Sequence, residues 1–154
     1  MKTRVLVAED NKDVLELLCR QLDFLGYNVM AARNGLEAVA LALFQHPDVI
    51  VMDILMPEMD GLEAASLIRD NPKTREIPIL ATTAWVDFSS SRNKYLKSGF
   101  DGYIAKPFTL RDFQNAIGKL LRDSPEGSVT GEQLVDSMDQ SNAIAPAVSA
   151  KPIF

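Results

Sequence analysis

Five side chains of types used in phosphoryl chemistry lie at or just after the ends of short apolar segments. They are three carboxylates, a hydroxyl and an ammonium: Glu9, Asp10, Asp53, Thr83 and Lys106. Crowded carboxylates repel one another, and a divalent cation among them relieves that repulsion. Oxygen ligands of this kind suit Mg²⁺, which also takes phosphate oxygens. One carboxylate could then attack a phosphoryl group and form an acyl phosphate, whose oxygens the lysine and the hydroxyl would contact.

An alternation of short apolar segments and longer amphipathic ones must bring these residues together. The strand-like segments are residues 5–8, 28–32, 49–52, 77–81 and 102–105. The segments between and after them have helical periodicity. In the second helical segment, one face is formed by apolar residues, the pattern of a helix packed on a core. These residues are Leu36, Val39, Ala40, Leu43 and Phe44. We expect an α/β fold, a doubly wound five-stranded parallel sheet with helices on both faces, which binds ligands at the carboxyl ends of its strands.

A simpler explanation exists for each acid taken alone. Aspartates often follow strands as turn residues, and Asp10 could serve only as the N-cap of the first helix. Five reactive side chains at four strand ends make coincidence a poor explanation for the set. We therefore interpret the cluster as functional.

The sequence resembles the response-regulator receiver family of two-component signalling, of the stand-alone type, over about residues 3–122. The resemblance rests on Glu9-Asp10, on the segment DILMPEMDG at 53–61, on Thr83-Ala84 and on YIAKPF at 103–108. It implies a flavodoxin-like receiver fold in which Asp53 is the phosphoacceptor. Glu9, Asp10, Asp53 and the backbone carbonyl of Leu55 would hold Mg²⁺. Lys106 would contact a phosphoryl oxygen, and Lys106–Pro107 would be a cis peptide bond.

The same resemblance implies a phosphorylation-dependent response regulator. A sensor histidine kinase or a histidine phosphotransfer protein would supply the phosphoryl group. Thr83 and Tyr103 would form the switch pair, the ring turning from an exposed to a buried position and reshaping the face of the fourth helix, fifth strand and fifth helix. A downstream protein would read that face. Such a domain is a signalling module rather than an enzyme, although it is able to catalyse its own phosphotransfer and dephosphorylation.

Two departures from the family pattern matter. The spacing from Thr83 to Lys106 is one residue longer than the commonest one, and we place the extra residue in 85–91, before or within a fourth helix expected near Ser90 to Ser98. Leu55 is apolar where its side chain would lie near the path of an attacking water. We therefore predict slow loss of phosphate.

Composition and charge limit the possible domain division, partners and localisation. Residues 1–122 hold 15 basic and 16 acidic side chains, whereas 123–154 hold one lysine and five acids within a Ser-, Ala- and Pro-containing tail. We therefore predict a receiver domain at 1–122 and an acidic tail at 123–154. The charge disfavours direct nucleic-acid binding. Neither a membrane-spanning stretch nor a secretory signal is evident, and we expect a cytoplasmic protein with no direct membrane contact.

Other functions stay open at this point. The chain could be a receiver domain cut from a larger hybrid kinase or multidomain regulator, or a receiver-like scaffold that is never phosphorylated. A haloacid-dehalogenase-type phosphatase also uses an aspartate nucleophile at a strand end. That chemistry needs a second aspartate two residues later, where this sequence has Leu55.

Overall fold

The computed structural model describes residues 1–84, residue 93 and residues 97–123 of the chain. The elements of the described part are, in chain order, β1 (Arg4–Ala8), α1 (Lys12–Phe24), β2 (Asn28–Ala32), α2 (Gly35–Gln45), β3 (Val49–Asp53), α3 (Gly61–Asp70), β4 (Ile79–Thr83), β5 (Gly102–Ala105) and α4 (Leu110–Asp123). The helix predicted near Ser90 to Ser98 and the extra residue predicted in 85–91 lie largely or wholly outside the described residues. So does residue 124 onwards in the predicted tail. The described part contains no helix long and apolar enough to span a membrane.

The five strands form one parallel sheet in the order β2-β1-β3-β4-β5. Successive side chains along a strand point to opposite faces, and each face carries its own core. One core contains Leu6, Ile50 and Met52 with residues of α2 and α3. The other contains Val5, Val7 and Val51 with residues of α1 and α4. The predicted doubly wound sheet with helices on both faces is confirmed.

Short polar side chains begin three of the helices. Asn11, Asn34 and Asp60 each accept a hydrogen bond from the backbone N–H three residues further on. These bonds satisfy donors that the first turn of a helix leaves without an intrahelical partner. Asn11, rather than Asp10, is therefore the N-cap of α1. The Asp10 carboxylate is not used for capping.

The fourth strand begins two residues later than its apolar pattern predicts. The apolar pattern places Ile77 in the strand, but its carbonyl accepts a hydrogen bond from the Arg69 guanidinium at 2.7 Å. Pro78 has no N–H to give to a ladder. Ile79 is the first residue of β4, and its N–H donates to the Asp101 carboxylate at 2.8 Å.

Helix α2 packs against the sheet with its small residues. Gly35, Ala38 and Ala42 are buried, whereas Leu36 and Phe44 on the opposite side are exposed to 59% and 77%. The apolar face found in the sequence is therefore not the buried one. The close fit of the buried side explains this, because a Cβ on Gly35 would lie 2.4 Å from the carbonyl oxygen of Met59.

Candidate functional site

The reactive residues sit at the carboxyl edge of the sheet because they end or follow four of its five strands. Glu9 and Asp10 follow β1, Asp53 ends β3, Thr83 ends β4 and Lys106 follows β5. In this strand order the chain reverses direction across the sheet between β1 and β3, which leaves a crevice between those two strand ends. The acidic residues lie at that crevice.

The three carboxylates form a compact oxygen cluster. One oxygen each from Glu9, Asp10 and Asp53 lies within 4.8 Å of the others. Glu9 and Asp53 are buried and Asp10 is exposed, so the cluster opens to solvent on one side. A divalent cation with oxygen ligands and several waters fits such a partly open set of acids. The donor chemistry therefore suits Mg²⁺.

Lys106 lies among the acids. Its Nζ is 2.9 Å from Glu9 Oε1 and 3.4 Å from Asp53 Oδ2. The other Glu9 oxygen accepts from the backbone N–H of Asn11 at 3.0 Å. Burial alone would lower the pKa of Lys106, but the bond to Glu9 and the charges of Asp53 and Glu9 together raise it. The lysine therefore stays charged and partly offsets the acidic cluster.

The surroundings of Asp53 favour the neutral form of its carboxyl group. Burial raises its pKa to about 6, and the negative charge of Glu9 adds to this effect. Lys106 and the backbone N–H of Leu55 act in the opposite direction. The effect of desolvation exceeds that of the nearby positive charge. In the metal-free protein, the negative charge of the Asp53 carboxylate is therefore only partly compensated.

The loop after Asp53 is fixed by a close backbone contact. The Gly61 N–H donates to the carbonyl of Ile54 at 2.8 Å. A Cβ on Gly61 would lie 2.5 Å from the carbonyl oxygen of Asp53. Only glycine therefore permits the first turn of α3 to approach the backbone of Asp53 this closely.

Thr83 and Tyr103 lie on the same face of the sheet. Tyr103 is opposite Ala81 in the β4–β5 register, and Thr83 is two residues further along β4. Thr82 alternates to the other face. The Thr83 hydroxyl donates to the carbonyl of Ala84 at 3.2 Å. The Tyr103 ring is buried without a phosphoryl group on Asp53, which is the position that the prediction assigns to the phosphorylated state.

Two further residues complete the edge of the site. The side chain of Leu55, two positions after the acceptor, is 66% exposed. The peptide bond between Lys106 and Pro107 is cis. The structure thus brings Glu9, Asp10, Asp53 and Lys106 into one cluster. Leu55 lies two residues after Asp53, and the Thr83 carbonyl accepts a hydrogen bond from the backbone N–H of Lys106 at 2.7 Å.

Sequence reasoning missed the contacts that organise this edge. The ion pair of Lys106 with Glu9 joins residues 97 positions apart, and periodicity carries no signal for such a pair. Away from the site, the Arg69 guanidinium bonds Asp101 and the carbonyls of Gly99, Arg75 and Ile77. It thereby ties α3 to the segments before β4 and β5.

Comparison with known proteins gives a consistent result. The family model described as "Response regulator receiver domain" matches residues 5–118. The response regulator MprA of Mycolicibacterium vanbaalenii is 39% identical over 132 residues, 86% of this chain and 56% of that protein. The polar-differentiation response regulator DivK of Brucella ovis is 35% identical over 124 residues, 80% of this chain and all of that protein. This chain thus spans about half the length of MprA and matches DivK throughout.

A solved structure shows the same architecture. The receiver domain of the sensor histidine kinase PA1611 from Pseudomonas aeruginosa PAO1 superposes with a TM-score of 0.71 at 30% identity, covering 79% of this chain and 99% of that one. It is described with a magnesium ion coordinated in the active-site cleft. Fold, matching residues and relatives agree, and the chain belongs to the response regulator receiver domain family.

Proposed function

We propose that Asp53 accepts a phosphoryl group from a phosphohistidine of a sensor histidine kinase or a histidine phosphotransfer protein. One observation carries the proposal: the Asp53 carboxylate lies between two further acids and a lysine at the carboxyl edge of the sheet. Membership of the receiver family supports it. The chain would act as a phosphorylation-dependent response regulator in the cytoplasm.

The transfer replaces one bond to phosphorus by another. An Asp53 carboxylate oxygen attacks the phosphorus, a P–O bond forms, the P–N bond of the phosphohistidine breaks, and its electron pair returns to the imidazole nitrogen. Lys106, already 3.4 Å from Asp53, would contact a new phosphoryl oxygen and give up its bond to Glu9. Thr83 would contact another.

Glu9, Asp10, Asp53 and the Leu55 carbonyl are the groups that would hold Mg²⁺. When bound, the ion neutralises negative charge on the carboxylates and on phosphoryl oxygens. The magnesium described in the PA1611 receiver domain supports this assignment, as does the oxygen-only character of the cluster.

The output would be a protein–protein contact. A phosphoryl group on Asp53 would attract the Thr83 hydroxyl away from the Ala84 carbonyl. The Tyr103 ring, on the same sheet face, is already buried, and movement of the hydroxyl would shift the equilibrium further toward that position. We propose that a downstream protein binds the surface made by the helix predicted near Ser90 to Ser98, by β5 and by α4, which is the fifth helix of the prediction. We also propose that neither nucleic acid nor membrane is contacted directly.

Two variants of this proposal concern the rest of the chain. We propose a receiver domain at 1–122 followed by an acidic tail at 123–154. Because the MprA relatives are about twice as long as the matched region, a receiver cut from a larger regulator or hybrid kinase is the alternative. The second alternative to the proposed function is a receiver-like scaffold that is never phosphorylated.

Phosphorylation can be tested with a small phosphodonor. The full chain is incubated with acetyl phosphate and Mg²⁺, and its intact mass is measured. We expect a gain of one phosphoryl group that is lost in Asp53→Asn and kept in Asp13→Asn, which changes an exposed acid on α1. A wild-type mass that does not change would favour the scaffold, and a gain that persists in Asp53→Asn would place the acceptor elsewhere.

A further inference from the structure

The ring of Tyr103 is a core side chain in the protein without a phosphoryl group. It is 2% exposed and belongs to the apolar core that the sheet forms with α2 and α3. An aromatic side chain buries roughly 150–250 Å², and turning the ring outward would return that area to water. The hydrophobic effect therefore favours the buried position by roughly tenfold to hundredfold.

Small residues leave the space that the ring fills. Ala81 lies directly opposite Tyr103 in the β4–β5 register, so the two side chains lie on the same face of the sheet. Ala64 and Ala65 of α3 belong to the same core, and all three alanines are fully buried. An outward ring would leave a cavity beside alanine side chains, which are too short to fill it. The packing of the unphosphorylated protein thus adds to the preference for the buried ring.

The Thr83 hydroxyl does not have to move before the ring is buried. It donates to the Ala84 carbonyl at 3.2 Å, and Tyr103 is buried with this bond in place. In the predicted switch, by contrast, the ring turns inward only after a phosphoryl group on Asp53 has attracted the hydroxyl. Room for the ring in the core therefore does not depend on phosphorylation.

We propose that Tyr103 is held buried in the unphosphorylated protein as in the phosphorylated one, so that its part of the output surface is ready for a partner at rest. This rests on the proposed function, which assigns β5 to the surface that a downstream protein binds. A preference of tenfold to hundredfold places the ring inward in about 90–99% of molecules. Because apparent affinity scales with the competent fraction, phosphorylation would strengthen partner binding through this ring by a factor of about 1.1 or less. A larger effect of phosphorylation would come from groups other than Tyr103.

Fluorine NMR measures the exposure of the ring directly. The full chain is labelled with 3-fluorotyrosine, and the signals of its three tyrosines are assigned with single tyrosine-to-phenylalanine variants. The change in fluorine shift between H₂O and D₂O is compared with that of the free amino acid, because it is largest for a fluorine in contact with solvent. For Tyr103 we expect no more than about a tenth of the free value, both before and after treatment with acetyl phosphate and Mg²⁺. Tyr27, which is half-buried, should show a larger change in the same spectra.

A Tyr103 value close to that of the free amino acid in the untreated protein, or one that falls on phosphorylation, would overturn the proposal. The measurement on the untreated protein does not involve a phosphoryl group, and intact mass reports phosphorylation in the treated sample, so a failure of the proposed function is recognised separately.

The packing argument is tested with two matched variants. Ala81→Val places a larger side chain opposite the ring and should raise the Tyr103 solvent value at least about threefold. Ala31→Val makes the same change at an exposed position of β2 and should leave that value unchanged. Equal values in the two variants would show that Ala81 does not provide the space for the ring, and would also overturn the proposal.

Discussion

Removing the negative charge of Asp53 should stabilise the metal-free protein. Its carboxylate is buried beside Glu9, and its pKa is raised from 3.8 to about 6. The folded state therefore favours the neutral form of this group more than the unfolded chain does. Asp53→Asn keeps the shape of the side chain and removes the charge.

The pKa shift sets the size of the effect. A rise from 3.8 to about 6 corresponds to an upper limit of about 3 kcal/mol, since each unit is about 1.4 kcal/mol. The crevice is open to water on the Asp10 side, and solvent screening reduces the cost of the charge. We expect a gain of about 1–2 kcal/mol, or roughly 3–8 °C in Tm for a domain of this size.

The direction of the pH dependence follows from the raised pKa. Below about pH 4 the carboxyl is neutral in both folded and unfolded chains, so the charge costs nothing. Between about pH 4 and 6 the unfolded chain releases its proton first, and the stability of the wild type falls as pH rises. Above about pH 6 the full cost is present. The difference in Tm between Asp53→Asn and wild type should grow across this window and then level off.

Thermal unfolding in EDTA, followed by circular dichroism from pH 4 to 8, measures this difference. Glu16→Gln changes an exposed acid on α1 and should shift Tm little at any pH. Mg²⁺ should raise the Tm of the wild type and leave Asp53→Asn nearly unchanged, because the variant lacks one of the proposed carboxylate ligands. A folded Asp53→Asn protein that is no more stable than wild type at pH 7.5, or a difference independent of pH, would refute the reasoning.

Three further predictions concern residues described above. Leu55→Asn should shorten the lifetime of the phosphorylated protein by admitting water to the acyl phosphate; an unchanged rate of phosphate loss would count against a role for this side chain. Arg69→Met should lower the free energy of unfolding by about 3 kcal/mol in urea titrations, because it leaves a partly buried carboxylate unpaired, whereas Arg20→Met at an exposed pair should change it by less than about 0.5 kcal/mol. Gly61→Ala should destabilise the protein by more than about 1 kcal/mol, since its Cβ would clash with backbone, whereas Gly118→Ala in α4 should stabilise it by about 0.5–1 kcal/mol. Equal stabilities for the two alanine variants would show that the loop after Asp53 moves to make room for the Cβ.

Strand order along the chain made the site predictable. Polar residues that end apolar segments must share one edge if the sheet is parallel, and Glu9, Asp10, Asp53 and Lys106 do so. Sequence did not show that Lys106 bonds Glu9 as well as Asp53, because that pair depends on how two distant strand ends pack. It also could not show which residue caps α1; Asn11, and not Asp10, takes that place.

The α2 helix shows a second limit of prediction from the sequence. Periodicity identifies which residues share a face but not which face is buried. Leu36 and Phe44 lie on the more apolar face, yet Gly35 and Ala42 lie against the core, because only small residues fit so close to the loop that carries Met59. The β4 boundary moved for a related reason: side chains of Arg69 and Asp101 bind the backbone that the apolar pattern assigns to a strand.

The ion pair between Glu9 and Lys106 has a consequence for the protein during its synthesis. The ribosome makes Asp53 and both neighbouring acids long before it makes Lys106, the last charged residue to reach the cluster. A nascent chain that ends before β5 therefore contains the three carboxylates of the cluster but not its lysine. The cluster of three carboxylates and one ammonium is therefore complete only after residue 106 has been synthesised.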